Sequence, residues 1–354
     1  MRASEFDFDL PPELIAQAPP PVRGTSRLMR LDRVSGQVTH GAFHDLAGLL
    51  RRGDLLVLND TRVFPARLLG HREPGQGAVE CLLVSRLDPS SAATGEERWQ
   101  ALVSPGARVS AGTRLVFDGP GGQLDGEVLG RAEHGRIVRL RTRDGSAVMA
   151  AIGRLGHMPL PPYIKRPDAE SDRERYQTVY ARHEGSVAAP TAGLHLTPEI
   201  FAALEAAGVE RTAITLHVGY GTFQPVRAEL VADHRMAREA FEVSAVAAEA
   251  LTRARAEGRR IIAVGTTTTR TLESLDRNAD GRVRAQSGET ALFISPGHQF
   301  RMVSGLVTNF HVPRSSLLML VSALAGVEAV RHAYREAVTA RYRFYSYGDA
   351  MLID

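Results

Sequence analysis

Between Ala66 and about Thr142 the chain changes texture, and that change limits the fold more than any other feature. Short runs such as A-V-E-C-L-L-V, W-Q-A-L-V, T-R-L-V-F and R-I-V-R-L-R-T are separated by Gly, Pro, Asp and Ser turns at close spacing. That rhythm predicts an all-β unit with almost no helix, a small barrel or sandwich. The flanks read differently. Leu28–Leu46 reads as a hairpin, and Leu55–Asn59 as a short buried strand ending in N-D-T-R. After Gly145 helical patterning returns, then a proline-rich connector, H-M-P-L-P-P-Y-I, and then alternating helices and strands.

In that second part Thr197-Pro198-Glu199 opens a helix that Gly208 stops, with threonine as cap and proline at the first position. Further helices are expected at 246–257 and 266–275, with two more after Pro313. Strands are expected at 212–218, 260–264, 291–295 and 305–310. Alternation of this kind argues for a sheet covered by helices. The expected architecture is a discontinuous α/β domain, residues 1–65 and 151–354, with a small β-barrel domain inserted at 66–150. At 354 residues, two domains are the natural division.

Composition narrows the chemistry. The N-terminus carries acids and no apolar h-region, and no apolar stretch approaches the ~20 residues that span a bilayer, so the cytoplasm is expected. Ser316–Ala325 reads as a buried helix. A single cysteine, Cys81, excludes a disulfide framework and multi-cysteine metal sites. Formal net charge is +3 and nearly all the positive charge is arginine; Lys165 is the only lysine. Guanidinium forks suit phosphate, although a GC-rich genome gives the same bias. G-x-G-x-x-G, H-E-x-x-H, C-x-x-C and G-x-S-x-G are all missing, which argues against nicotinamide, metal and serine-hydrolase chemistry.

Five polar runs stand at the ends of apolar segments. A-A-P-T-A-G-L-H-L-T offers Thr191, Gly193 and His195; glycine lets backbone approach a ligand, and the imidazole can carry a proton. T-L-H-V-G-Y-G-T-F offers His217, Gly219 and Phe223, with Asp233 and His234 soon after. V-G-T-T-T-T-R sets Gly265, Thr266, Thr267, Thr268 and Arg270 between a strand and a helix, an anion site by its free N–H groups and dipole. Plain capping would explain one hydroxyl of the four. T-N-F-H-V-P offers Asn309 and His311, and R-F-Y-S-Y-G-D offers Tyr345 and Asp349. What these runs leave is acid/base or electrostatic catalysis, without a metal, by His, Asp, Thr and Tyr.

These motifs, together with L-V-L-N-D-T-R-V, D-R-E-R-Y-Q-T-V-Y and Y-S-Y-G-D-A-M, occur in one order from Phe6 to Ile353. In that order the chain closely resembles the S-adenosylmethionine:tRNA ribosyltransferase-isomerase family of queuosine biosynthesis. Leu196, Ala237 and Ser304 depart from the family pattern. The resemblance implies transfer and isomerisation of the ribosyl part of S-adenosylmethionine onto 7-aminomethyl-7-deazaguanine at the tRNA wobble position. The product is epoxyqueuosine, with adenine and methionine released. S-adenosylmethionine is then a consumed substrate and no cofactor is expected; tRNA is the partner and the chain is expected to be a monomer.

Under that reading a sulfonium acidifies the hydrogens on its neighbouring ribose carbon, so a modest base can start ring opening. His195 or His217 is the expected base, with Asp233 and His311 in reserve; His311 or Asp349 would protonate adenine. The 265–269 turn would hold the methionine carboxylate, and Tyr345 or Phe223 would face the sulfonium. Arg62, Arg67, Arg131, Arg136, Arg139 and Arg141 are candidates for the tRNA phosphate track. The alternatives are a non-catalytic tRNA-binding module and a tRNA base-exchange transglycosylase.

Overall fold

The structure is a computed structural model that describes residues 1–87, 95–219, 226, 228–276 and 281–354. In chain order its strands begin with β1 (Arg27–Leu31), β2 (Val38–Ala42), β3 (Leu55–Asn59) and β4 (Thr61–Val63). Next come β5 (Arg67–Glu73), β6 (Ala78–Arg86), β7 (Glu96–Ser104), β8 (Arg114–Gly119), β9 (Gly122–Arg131) and β10 (Arg136–Thr142). The rest are β11 (His183–Ser186), β12 (Glu210–Leu216), β13 (Glu239–Val243), β14 (Ile261–Val264), β15 (Gln286–Thr290), β16 (Gly305–Asn309) and β17 (Ala350–Ile353).

Strands β5 to β10 close into a six-stranded antiparallel barrel in the order β10-β7-β6-β5-β8-β9, with β9 pairing back to β10. The barrel expected from the turn-rich middle is therefore present. Its interior holds Leu68, Cys81, Leu83, Trp99, Ala101, Leu115, Phe117, Leu124, Val138 and Leu140. Burial pushes the Cys81 thiol up to about 12, so it is an inert core residue rather than a nucleophile. The helix Val148–Leu155 adds Val148, Ala151 and Ile152 to the same core. A boundary at residue 150 would cut this helix, so we place the end of the barrel unit after it.

The other strands form a nine-stranded sheet, β15-β13-β12-β3-β14-β16-β17-β1-β2, whose central four, β12, β3, β14 and β16, run parallel. Every residue of β3, β14 and β16 is buried, as expected of strands covered on both faces. The side chains alternate between two cores. Leu55, Val57, Ile261, Ala263 and Leu306 face one, with helices Ala245–Ala256, Ser316–Ala325 and Val327–Thr339. Leu56, Leu58, Ile262, Val264 and Val307 face the other, with helix Pro198–Ala206. Thr197 caps that helix as expected, its hydroxyl accepting from the Ile200 N–H. Ser316–Ala325 is mostly buried, and no single described helix is long and apolar enough to cross a membrane.

The expected strand over 291–295 is not one. The ladder partner of β13 is the polar run before it, Gln286–Thr290, while the backbone of the apolar run bonds to side chains. The Leu292 N–H donates to the Thr290 hydroxyl, and its carbonyl accepts from Arg270 Nε. An exposed edge strand needs no apolar residues, so hydrophobicity located the wrong segment. Strands β13 and β17 were not anticipated.

Candidate active site

A cleft of about 690 Å3 opens where the four parallel strands end at their carboxyl termini, the usual ligand position of an open α/β sheet. Val218 follows β12, Gly265 to Thr267 follow β14, and Thr308 to His311 end β16; Thr191, Tyr163, Tyr345 and Ser346 complete the polar wall. All five polar runs therefore reach the cleft, the His217 run only through the apolar Val218. Among the described residues the lining carries hydroxyls, an amide, an imidazole and phenols, but no carboxylate, ammonium or guanidinium.

Thr191 opens a short 3-10 turn, Thr191–His195, immediately after Pro190. Its hydroxyl donates to Asn309 Oδ1 at 3.1 Å. The Asn309 Nδ2 group donates in turn to His195 Nε2 at 3.0 Å, and His195 Nδ1 meets the Ser26 hydroxyl at 2.9 Å. Since Nε2 accepts, the proton sits on Nδ1, and the imidazole is neutral. Burial, chiefly, pushes His195 down to about 4; Asp349 opposes this and the charges of Arg23 and Arg343 add to it. His195 stacks on Phe43, with ring centroids 4.9 Å apart, behind the cleft wall. It does not line the cleft, where the sequence reading expects a base, and its bonds fix which way the Asn309 amide faces. Gly193 is needed for packing, because a Cβ there would lie 2.0 Å from the Tyr180 hydroxyl.

Helix Thr266–Ser274 begins at Gly265, whose φ of +92° and ψ of 152° suit glycine alone. No side chain caps it, so the first-turn N–H groups remain open toward the cleft. Of the four expected hydroxyls, those of Thr266 and Thr267 line the cleft. Those of Thr268 and Thr269 instead donate to the Val264 and Gly265 carbonyls of their own helix. Arg270 also turns away: it is 2% exposed, ion-paired with Glu239, and serves as a buried strut. The same Glu239 accepts the Gly219 N–H at 2.9 Å, which ties Gly219 to the strut rather than to the cleft.

His311 is the imidazole that does line the cleft. Burial alone pushes it down to about 3, so it is neutral at pH 7 and a weak base. Its Nε2 is 2.8 Å from the Thr308 hydroxyl. Tyr345 faces the same space with φ of +73°, rare for an aromatic residue, its N–H held by the Phe310 carbonyl at 3.0 Å. Its ring lies 4.6 Å from that of Tyr163, and burial pushes its phenol up to about 12.

Several expected residues lie elsewhere. His217 points away from the cleft to the Thr61 hydroxyl at 2.8 Å, over Gly185; burial and His183 lower its affinity for a proton. Asp233 is exposed on a surface 3-10 turn and lines no part of the cleft. Asp349 accepts from the Arg27 backbone and guanidinium and from the Arg343 N–H, and it does not line the cleft. Phe223 lies outside the described residues. Among the arginines, Arg67 pairs with Glu80 and Arg139 with Glu127, while Arg136 donates to the Val109 and Gly106 carbonyls. Arg62, Arg131 and Arg141 are exposed.

The sequence reading gives no role to Tyr163 or Ser26, and names Asn59 and Ser346 only as members of the N-D-T-R and R-F-Y-S-Y-G-D runs. Asn59 ends β3, where its amide donates to the Leu216 carbonyl at 3.0 Å and reaches Thr267 Oγ1 at 3.4 Å. An asparagine closing an otherwise apolar strand was the available signal. Tyr163 sat in a connector that only its prolines marked, and nothing in the sequence pointed to it.

The family model described as "Queuosine biosynthesis protein" matches residues 3–353. The S-adenosylmethionine:tRNA ribosyltransferase-isomerase of Anaeromyxobacter sp. (strain Fw109-5) is 53% identical over 353 residues, covering 100% of this chain and 99% of that protein. The protein of the same name from Symbiobacterium thermophilum is 52% identical over 354 residues, with both chains fully covered. The crystal structure of S-adenosylmethionine tRNA ribosyltransferase from Thermotoga maritima superposes with a TM-score of 0.55 at 39% identity, over 99% of this chain and 100% of that one. Ordered motifs, a shared fold and full-length similarity agree, and the chain belongs to the queuosine biosynthesis protein family.

Proposed function

We infer that this chain is an S-adenosylmethionine:tRNA ribosyltransferase-isomerase. It moves and isomerises the ribosyl group of S-adenosylmethionine onto 7-aminomethyl-7-deazaguanine in tRNA, giving epoxyqueuosine and releasing adenine and methionine. The observation that carries this reading is a cleft at the strand ends lined, among the described residues, by no charged side chain, with a helix N-terminus on one wall and two phenol rings on another. A sulfonium nucleoside with a free carboxylate fits those features. The first-turn N–H groups at Thr266 and Thr267, with their hydroxyls, would take the carboxylate. The ring faces of Tyr163 and Tyr345 would meet the sulfonium by cation–π attraction.

His311 replaces His195 and His217 as the proposed base, because it alone among the described histidines lines the cleft. It would take the acidified ribose hydrogen and then deliver a proton to departing adenine. Thr191, fixed through Asn309 and His195, would present its oxygen to the ribose. Arg62, Arg131 and Arg141 remain proposed tRNA contacts; loss of one that touches a phosphate lowers the salt slope of binding by about one unit. Action as a monomer, in the cytoplasm and without a cofactor, belongs to the same proposal.

The test is incubation with S-adenosylmethionine and tRNA carrying the aminomethyl base, followed by nucleoside mass analysis and assay of free adenine. One epoxycyclopentanediol adduct per adenine released is expected. Retention of the tRNA with no adenine formed would leave only a binding module.

A further inference from the structure

A second, smaller solvent-open pocket, lined by His195, lies beside the cleft and shares Ser346 with it. Two guanidiniums, Arg23 and Arg175, line it. The sequence marks neither as a site residue. Arg23 donates to the Gln177 and Leu194 carbonyls at 2.9 and 3.0 Å and to the Glu174 carbonyl at 3.2 Å. Arg175 donates to the carbonyls of Pro20 and Pro21. Among the described residues neither forms an ion pair, whereas their neighbour Arg166 pairs with Asp172 at 2.7 Å. Arg175 Nε is buried and has no hydrogen-bond partner.

Two partly buried positive charges with no carboxylate in ion-pair contact among the described residues form an incomplete electrostatic arrangement. Burial weakens the proton affinity of Arg23, the charge of Arg175 weakens it further, and Glu174 compensates only in part. Both arginines line a space bordered by Ser26 and Ser346 and by the glycines Gly24 and Gly348. Carbonyl oxygens hold the two forks in place, which leaves the charge itself unspent. A small divergent anion satisfies both forks at once.

We propose that this cavity binds a phosphate oxyanion, and that its source is the backbone of the RNA substrate, at a phosphate flanking the nucleotide presented to the cleft. The assignment rests on the tRNA reading above. S-adenosylmethionine carries no phosphate, so the cavity and the cleft do not compete for one ligand. An RNA strand crossing the wall at Ser346 places a base on one side and its phosphate on the other.

The experiment measures binding of tRNA to the full chain against salt concentration, for wild type, Arg175→Gln, Arg175→Lys and Pro20→Glu. Arg175→Gln is expected to bind about tenfold more weakly near physiological salt, with the slope reduced by about one. Arg175→Lys keeps the slope. Pro20→Glu leaves both arginines in place and offers them a carboxylate, so it weakens binding even if the glutamine variant fails to fold. The binding constant for S-adenosylmethionine stays as in wild type throughout. Unchanged tRNA affinity and slope in folded Arg175→Gln and Pro20→Glu overturn the proposal. Inorganic phosphate that raises the melting temperature of wild type but not of Arg175→Gln, with tRNA slopes equal, assigns the cavity to free phosphate and also overturns it. Slope changes as expected in an enzyme that forms no product would leave this site standing while the activity reading falls.

Discussion

Replacing His195 by phenylalanine keeps the ring stacked on Phe43 and removes both of its hydrogen bonds. At pH 7 the variant leaves Asn309 Nδ2 with only the Asp349 carbonyl at 3.5 Å, and the Ser26 hydroxyl without its ring partner. Unmade buried bonds of this kind cost about 1–3 kcal/mol. The pH dependence runs the other way. The folded state holds His195 at about 4, below its ordinary value of 6.5. Between those values the unfolded chain binds more protons, so the stability contributed by a neutral His195 falls as pH drops through the window, and that contribution is lost below about 4. At about 1.4 kcal/mol per unit, wild type loses on the order of 2–3 kcal/mol between pH 7 and pH 4.5 on account of His195. The phenylalanine variant does not. The His311 contribution has the same sign in both proteins and cancels in the comparison. The assay is urea unfolding at the two pH values followed by far-ultraviolet circular dichroism. Trp99, the only tryptophan, sits in the barrel core, so its fluorescence reports on the barrel rather than on the sheet. The variant is expected to be less stable at pH 7 and to approach or pass wild type at pH 4.5. Its kcat/KM at pH 7 should fall about tenfold, because the freed amide no longer holds Thr191. An identical acid decline in both proteins refutes the neutral, buried His195 and the chain of bonds argued from it.

Thr267→Val removes a cleft hydroxyl without changing shape, and should raise KM for S-adenosylmethionine about fivefold with little change in melting temperature; an unchanged KM would detach Thr267 from the substrate. Asp349→Asn weakens the Arg27 pair, which is partly solvent-screened, and should cost about 2 kcal/mol in thermal unfolding. The same variant should keep the wild-type pH–rate profile, whereas loss of one limb would restore Asp349 as an acid. Gly193→Ala forces a methyl onto the Tyr180 hydroxyl and should lower stability by about 1–3 kcal/mol, measured by calorimetry. A neutral result would mean that the turn below Thr191 yields freely.

The architecture was legible because period and punctuation are local. Glycine- and proline-bounded runs located the barrel, and Thr197-Pro198 located a helix start to the residue. The apolar run at 291–295 misled for the complementary reason: hydrophobicity records burial, and a buried loop whose backbone is bonded to Thr290 and Arg270 looks like a strand. The candidate site was legible as a set of loops and not as a set of roles. Thr266 and Thr268 are indistinguishable in sequence, yet one hydroxyl lines the cleft and the other closes on the Val264 carbonyl. His195, His217 and His311 each end an apolar run. Only the register of their strands and turns decides that one faces ligand, one supports an amide, and one bonds to Thr61.

That no charged side chain lines the cleft among the described residues bears on the proposed chemistry itself. A sulfonium acidifies its neighbouring C–H through its own positive field, and a fixed carboxylate close by would cancel that field while stabilising the bound ground state. Walls of hydroxyl, amide and phenol hold the cation without neutralising it, and low local polarity lets its field act at full strength on the adjacent carbon. The same burial makes His311 a weak base, pushed down to about 3. Taken alone that is a poor choice for removing a carbon-bound proton. In the proposed sequence it serves the second half of the reaction, since an imidazolium so acidic cannot keep its proton and hands it to the departing adenine. Deprotonation is then uphill and is drawn forward by loss of the base, which lets one neutral group act first as acceptor and then as donor with no charged partner in the cleft.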